Sequence, residues 1–436
     1  MPVRCDEPRP LAVPFAPRGL AGSVAAPPSK SVTQRALVAA AAAGAGARVL
    51  RPLDAEDPRL LAAALGAAGA RFVWEGEEVR CERGLPTDAA GGAAEIRMGN
   101  NGTGARFMLA QLAATPGTWV LDGVARLRER PIAPLAEALR SLGAEIAPAA
   151  GAALRLPLRV SGRSLAGGEV GLDASASSQF ASALLLLGTR LPRGITVRLT
   201  GAPPSRPYLD LTVDVLRAFG ADAAWDAAML VASAARGGLR PAAYTVEGDW
   251  SAAAFPLAGA AVAGGEVEVL GVSAASRQGD AAVLALLAAA GCGVAATPGG
   301  VRVRGPAVRP LAAHLADAPD LFPALAVVAA AAGGELTGLA GLATKESDRL
   351  RVMADNLAAI GFAVEAGAGT FAARGGVPAR SAAAAPLPCA ADHRVAMALA
   401  VAGAAVPGVT IDDAACVAKS WPGFWDAWSA AIAGPR

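Results

Sequence analysis

The stretch RERPIAPLAEALRSLGAEI, residues 128–146, contains in one line the device from which the rest of the chain is built. A polar word opens it, an apolar helical stripe follows, and Gly143 stops the helix and feeds a strand-like run. Glycine just past a helix takes the left-handed backbone conformation that other residues avoid, so it is the usual C-terminal cap. The same stop recurs at Gly69 in AAGARF, Gly220 in AFGADA, Gly291 in AAGCGV and Gly361 in AIGFAV, each ahead of two short runs of strand character. Upstream of those glycines, by about a dozen residues, stand EDPR, SRPY, ASRQ and ESDR, as RERP stands before Gly143. The separations, about 70 to 77 residues, are too long for a solenoid and suit a small subdomain of helices and strands. Five visible copies imply a sixth that is degenerate or split between the chain ends. Three copies per domain predict an α/β protein of two similar domains, with crossings near residues 20–27 and 235–246. Residues 27–242 then form one domain, and 1–26 with 243–436 the other, the N-terminal strand pairing into the latter.

Composition narrows the function. At 436 residues and 54% hydrophobic content the chain has material for two cores. Alanine dominates that fraction and aromatics are only 4%, so packing rests on close helices rather than on ring stacking. A formal charge of +2, from 39 basic and 37 acidic residues, argues against a nucleic-acid partner bound through a broad basic face. Cys5, Cys81, Cys292, Cys389 and Cys416 are scattered, odd in number and without a CxxC pair, which favours a reducing cytoplasm over a disulfide framework or thiolate metal site. The N-terminus lacks the apolar run of a signal peptide. The longest uncharged stretch, 395–411, is broken by Gly403, Pro407 and Gly408 and reads as a buried helix with its exit turn, not as a membrane span.

Against this apolar background stand short polar words: PPSKSVTQR at 27–35, GNNGTGAR at 99–106, SSQF at 177–180, SRPY at 205–208, KESDR at 345–349, DHR at 392–394 and AKS at 418–420. Cations beside small hydroxyl and amide donors suit a ligand bearing phosphate and carboxylate, since each charge-assisted bond contributes about 1.5 to 3 kcal/mol. Helix N-termini, with free amides and a positive dipole end, favour the same ligand. Singly, each word has a plainer reading. PPSKS lacks Walker spacing and also reads as a linker whose Ser29 or Ser31 caps a helix. GNNGTGAR reads as an anion loop braced by Asn100 before an apolar helix over 107–113, or as an ordinary turn. Asp320, in HLADAPDLFP, is either a proton acceptor or the cap of the helix that follows. His314 and His393 are too few and too distant for a metal centre, so no metal is expected.

Read in order, PPSKSVTQRAL, GNNGTGAR, RERPI, SSQF, SRPYLDLT, VEGD, DAPDLFPALA, TKESDRL, DHRVAMALA and CVAKSWPGFW resemble the EPSP synthase (3-phosphoshikimate 1-carboxyvinyltransferase) family of enolpyruvyl transferases. The resemblance spans about residues 27 to 425. It implies the inverse-barrel fold, two domains each of three βαβαββ units joined by two hinge crossovers, with a site between the domains that closes on binding. It implies transfer of the enolpyruvyl group of phosphoenolpyruvate to the 5-hydroxyl of shikimate 3-phosphate, with release of phosphate through a tetrahedral intermediate and no cofactor. Carried over residue by residue, Lys30, Ser31, Arg35, Ser177, Ser178, Gln179, Ser205 and Tyr208 line the shikimate 3-phosphate side, completed by Asp320 and Lys345. Gly102, Arg130, Arg349, Arg394 and Lys419 grip phosphoenolpyruvate, with Lys30 shared. Asp320 is the implied base at the hydroxyl, Glu346 the proton shuttle at the methylene carbon, and Lys30 an acid or charge stabiliser. The family precedent is a monomer with small-molecule partners only, neither nucleic acid nor membrane.

Three positions depart from the family pattern: Phe107 replaces a common proline, Ala343 a frequent arginine, and Ala391 a residue that is often asparagine or another polar residue. The small Gly102 implies inhibition by glyphosate in competition with phosphoenolpyruvate. Two competing readings are a UDP-N-acetylglucosamine enolpyruvyl transferase and a non-catalytic metabolite-binding paralogue. The first lacks its loop cysteine, since none occurs between Cys81 and Cys292, and intact Lys30, Asp320, Glu346 and Lys419 oppose the second.

Overall fold

The computed structural model describes residues 8–87, 92–234 and 238–433; Cys5 and residues 235–237, at the expected second crossing, lie outside these. The chain divides into two compact units, Pro28–Glu247 and Met1–Pro27 with Gly248–Arg436.

Pro28–Glu247 holds helices α1 (Lys30–Ala43), α2 (Glu56–Ala67), α3 (Gly102–Ala113), a short α4 (Ala125–Glu129), α5 (Ala133–Ser141), α6 (Gln179–Gly188) and α7 (Pro207–Ala218). Its three four-stranded sheets share one order, a parallel pair extended by an antiparallel hairpin. In the middle copy Gly92–Arg97 runs parallel to Gly117–Asp122, which pairs with Leu158–Gly162 and through it with Glu145–Pro148. Ser29 opens α1 by accepting the Val32 amide, and Asn101 opens α3 by accepting that of Gly104. Helices α1, α3 and α6 pack on one another and are buried on nearly every side, which their alanine and leucine content permits.

The other unit holds α8 (Trp250–Ala263), α9 (Val283–Ala289), α10 (Phe322–Ala332), α11 (Arg349–Ile360), α12 (His393–Ala405) and α13 (Phe424–Ala433). Two of its sheets repeat the same order, one on Leu20–Ala25 parallel to Gly265–Leu270, the other on Leu311–His314 parallel to Gly334–Thr337. The N-terminal strand therefore pairs with the C-terminal half, as expected. The third is reduced to two strands, Leu11–Ala12 against Thr410–Ile411, so the sixth copy is both degenerate and shared between the chain ends.

All five glycine stops hold: Gly69, Gly143, Gly220, Gly291 and Gly361 have φ between +87° and +114°, each just past a helix and ahead of a hairpin. The strands of two copies are staggered in sequence. Leu20–Ala25 is separated from its crossover helix α8 by the whole of the other unit, and Ala243–Thr245 closes the sheet begun by Arg48–Leu50 from the far end.

One turn is strained. The Asp392 amide donates to the Cys389 carbonyl at 3.0 Å, and both intervening residues, Ala390 and Ala391, have positive φ, +53° and +51°. Left-handed backbone costs a non-glycine residue about 1 to 2 kcal/mol, less for asparagine. Ala391 is exposed and is one of the departures noted above. Ala391→Asn should raise stability by about 0.5 to 1 kcal/mol, read as a higher urea midpoint at unchanged slope; an unchanged or lower midpoint would contradict the strain.

Candidate active site

In Pro28–Glu247 the polar words meet at helix N-termini. Lys30, the first residue of α1, is buried with its Nζ 3.1 Å from Oδ2 of Asp57 on α2. Asn101 donates through Nδ2 to Gln34 Oε1 and to the Asp57 carbonyl, each at 2.8 Å, tying the starts of α1, α2 and α3 together. The sequence reading needs correcting here. Asn101, one residue after the expected Asn100, makes the bonds that tie these helix starts, and Gly102 and Gly104 lie within the first turn of α3, which starts five residues before the expected 107, because the Asn101 cap recruits the glycine segment into the helix.

Gly102 has a steric role. A Cβ built on it would lie 2.4 Å from Cζ of Arg130, so the missing side chain is what lets that guanidinium rest against the start of α3. Arg106 donates to Gln179 Oε1 at 2.6 Å and to the Pro131 carbonyl, while Gln179 donates to Thr103, joining α3 to α6. Ser177 Oγ accepts the Gln179 amide, Ser178 is buried beside it, and the Tyr208 amide donates to the carbonyl of Ser205, which itself has φ +57°. Arg35 is fully buried. Its Nε donates to Thr212 and its other nitrogens to Ser182 and the Ser31 carbonyl, with its guanidinium carbon 5.3 Å from the ring centres of both Phe107 and Tyr208. Burial lowers its pKa to about 10. Phe107, odd within its motif, is thus a cation–π partner of Arg35.

In the other unit the network is ionic and centred on Arg349, only 1% exposed. Its NH1 donates to Asp320 at 2.7 Å, its NH2 to Glu346 at 2.7 Å and its Nε to Asp392 at 2.8 Å. Arg394 reaches the second oxygen of Asp320 at 3.3 Å, and Lys345 lies 3.5 Å from the first. Asp320 stands in a 3-10 turn ahead of α10, and its oxygens accept from these cations. Burial alone would raise its pKa, but Arg394, Lys345 and Arg349 outweigh that and hold it well below the usual carboxylate range. Asp392 caps α12 through the Arg394 amide and also accepts from Ser347. Lys419 is buried at the end of the 3-10 turn Ala415–Lys419, which packs on α12. Among the described residues, no group of three or more His, Cys, Asp and Glu side chains is arranged to hold a metal ion.

The sequence reading missed Asp57, Arg106 and Asp280. Aligning the copies on their glycine stops would have flagged two of them, since Asp57 and Asp280 stand at equivalent helix starts, as Arg349 does. Asp280 is buried, accepts from Ser251 on α8, and has a pKa raised to about 7, first by burial, then by Asp320 and, less, Asp249, with Arg394 and the Ser251 bond opposing. Its folded pKa lies above 3.8, so the folded chain holds more protons than the unfolded one between about pH 4 and 7, and stability falls as pH rises through that window. Asp280→Asn removes that loss. The variant should gain more stability over the parent at pH 8 than at pH 5, measured by denaturant midpoints; equal offsets would show that Asp280 ionises normally.

Comparison with known proteins places nearly the whole chain in one family. The model of the family "EPSP synthase (3-phosphoshikimate 1-carboxyvinyltransferase)" matches residues 16–428. A 3-phosphoshikimate 1-carboxyvinyltransferase of Methanoculleus marisnigri is 41% identical over 408 residues, 92% of this chain and 94% of that protein. One from Syntrophobacter fumaroxidans is 37% identical over 421 residues, 94% of this chain and 96% of that protein. The solved EPSP synthase of Acinetobacter baumannii superposes with a TM-score of 0.76 at 29% identity, covering 98% of both chains. With ten motifs in family order, six copies of one folding unit and this match over nearly its whole length, the chain belongs to the EPSP synthase family.

Proposed function

We propose that the protein transfers the enolpyruvyl group of phosphoenolpyruvate to the 5-hydroxyl of shikimate 3-phosphate, as a cytoplasmic monomer of the shikimate pathway. The observation that carries this reading is the buried network in which Lys345, Arg349 and Arg394 surround the carboxylates of Asp320 and Glu346. The reaction needs a base for a hydroxyl, an acid for a carbon and cations for a doubly anionic ligand, and that network contains all three. No helix among the described residues is long and apolar enough to cross a membrane.

In the addition step Asp320 takes the hydroxyl proton, the oxygen attacks C2 of phosphoenolpyruvate, and Glu346 delivers a proton to C3, giving a methyl group. In the elimination step Glu346 takes a proton back from C3, the C2–C3 double bond re-forms, and the C2–O bond breaks as inorganic phosphate leaves. A general acid or base typically contributes about 10² to 10⁴ in rate. Lys30, Ser31, Arg35, Ser177, Ser178, Gln179, Ser205 and Tyr208 recognise shikimate 3-phosphate. Gly102, Arg130, Arg394 and Lys419 recognise phosphoenolpyruvate, with Lys30 stabilising charge between the two.

Arg349 has a double part. It orients Asp320 and Glu346 through direct bonds, and it adds positive charge toward phosphoenolpyruvate. At rest Asp320 is a poor base because three cations depress its pKa. When phosphate and carboxylate draw on the same cations, that depression is relieved and the carboxylate gains basicity. Basicity is thereby tied to occupancy by the second substrate.

Phosphate release from phosphoenolpyruvate should occur with shikimate 3-phosphate and not with UDP-N-acetylglucosamine. Release only with the nucleotide sugar would select the relative, and binding without release a metabolite sensor. Asp320→Ala should lower turnover by about 10² to 10⁴ while ligand binding stays measurable; parent-like turnover would remove Asp320 from the mechanism. Glyphosate should inhibit in competition with phosphoenolpyruvate. In Gly102→Ala the new methyl displaces Arg130, so the KM for phosphoenolpyruvate and the glyphosate inhibition constant should both rise by about tenfold or more, at a cost of about 1.4 kcal/mol.

A further inference from the structure

Two cysteines that sequence spacing gives no reason to pair stand together beside the ionic network. The segments carrying them are neighbours by backbone bonding: Leu387 bridges Ile411, the Leu387 amide donates to the Thr410 carbonyl, and the Cys389 amide donates to Asp412 at 2.7 Å. Cys416 opens outward from the second segment, its thiol donating to the Asp413 carbonyl at 3.3 Å and hydrogen-bonded to the thiol of Cys389. Cys389 is fully buried, Cys416 is half-buried, and both are free thiols. Their neighbours are functional residues. Cys389 begins the strained turn that ends at Asp392, the carboxylate holding Arg349 and the Arg394 amide, and Cys416 lies three residues before Lys419 in one 3-10 turn.

We propose that Cys389 and Cys416 form a reversible redox-modification site, converted by an oxidised low-molecular-weight disulfide into an internal disulfide that ties the 389–392 turn to the Ala415–Lys419 turn and lowers turnover. The chemistry balances as thiol–disulfide exchange. Cys416, the more accessible thiol, loses its proton and attacks one sulfur of the small disulfide, and the expelled thiolate takes up a proton. Cys389 then attacks the Cys416 sulfur, forming the internal bond and expelling the second small thiolate, which is protonated in turn. Two protein thiols are oxidised and one small disulfide is reduced to two thiols.

The bond between Cys389 and Cys416, then burial and the charges of Asp413 and Asp392, hold the Cys416 thiol above the usual thiol range. Exchange is therefore slow, which calls for prolonged incubation with the oxidant. Once formed, the S–S bond is only about 2.05 Å long, shorter than any contact between separate thiols, so closure draws the two turns together. A displacement of about 1 Å in groups that position a ligand costs on the order of 100-fold in rate. Roughly ten- to hundred-fold loss of phosphate release is expected in the oxidised form.

The test uses the full chain incubated overnight at pH 8 with glutathione disulfide. The expected result is a mass lower by two hydrogens, a Cys389–Cys416 cross-linked peptide, and turnover lost and then restored by a reductant. Cys416→Ser should keep parent-like activity before oxidation and lose the response. Cys389→Ser should instead retain one glutathione on Cys416; if that buried change fails to fold, Cys416→Ser alone decides. A lasting mixed disulfide in the parent, cross-links through Cys5, Cys81 or Cys292 only, or a Cys389–Cys416 bond with unchanged turnover would each overturn the proposal. Because the cross-link is read on the protein itself, its absence is distinguishable from a failure of the proposed reaction.

Discussion

A guanidinium buried among three carboxylates is the constraint around which the Gly248–Arg436 part of the molecule is arranged. Removing one ion from water costs several kcal/mol even after relaxation, and the attraction between opposite charges offsets this only when geometry is good and every donor is used. Arg349 meets the condition with its Nε, NH1 and NH2, each directed at a different carboxylate. To place those carboxylates the fold must deliver a 3-10 turn before α10, the segment just ahead of α11 and the cap of α12 to one point. Three cations, Lys345, Arg349 and Arg394, and three carboxylates, Asp320, Glu346 and Asp392, are joined directly or through Arg349. Asp280 stands outside that pairing, and burial, then the charge of Asp320, raises its pKa to about 7.

Pro28–Glu247 solves a different problem. Arg35 and Arg190 are both buried guanidiniums lowered to about 10 by burial, and neither is bonded to a carboxylate. Their surroundings separate them. Arg190 donates to the carbonyls of Gln111 and Ala114 at the C-terminal end of α3, where the helix dipole is negative and compensates the charge. Arg35 lies in the second turn of α1, near the positive end, and its partners are two hydroxyls, one carbonyl and two aromatic rings. Its positive charge is solvated but not balanced. The negative end of α3 thus faces Arg190, whereas the groups around Arg35 are neutral hydroxyls, a carbonyl and rings.

What could be read from the sequence follows from how local each signal is. A glycine stop acts within a single turn of backbone, so all five were legible, and the polar words at helix starts were legible for the same reason. Whether a charged residue in such a word faces a ligand or another side chain depends on partners tens to hundreds of residues away. Asp320 could have been only a cap; it is bonded to Arg349 and Arg394, 29 and 74 positions distant. Asn100 and Asn101 are adjacent and chemically identical, and only the reach of the second to Gln34 and Asp57 makes it the brace. The other copies implied the sixth, but its strands carried no local signal because they are short and come from opposite chain ends. Phe107 looked like an aberration in its motif until the Arg35 guanidinium was found against its ring.

The repeat itself explains why such chemistry is found on this architecture. Each βαβαββ copy offers two helix N-termini, and each N-terminus brings unpaired amides and a partial positive charge. In Pro28–Glu247 the starts of α1, α2, α3 and α6 are hydrogen-bonded to one another, and in the other unit the same holds for the segments that open α10, α11 and α12. Gathering positive helix ends is electrostatically unfavourable unless negative charge is present among them. Gly248–Arg436 supplies it with Asp320, Glu346 and Asp392, and Pro28–Glu247 with Asp57 against Lys30. Around Arg35 the bonds are instead to two hydroxyls and a carbonyl, so its charge is solvated by neutral dipoles, whereas Arg349 in the other unit is held directly by carboxylates.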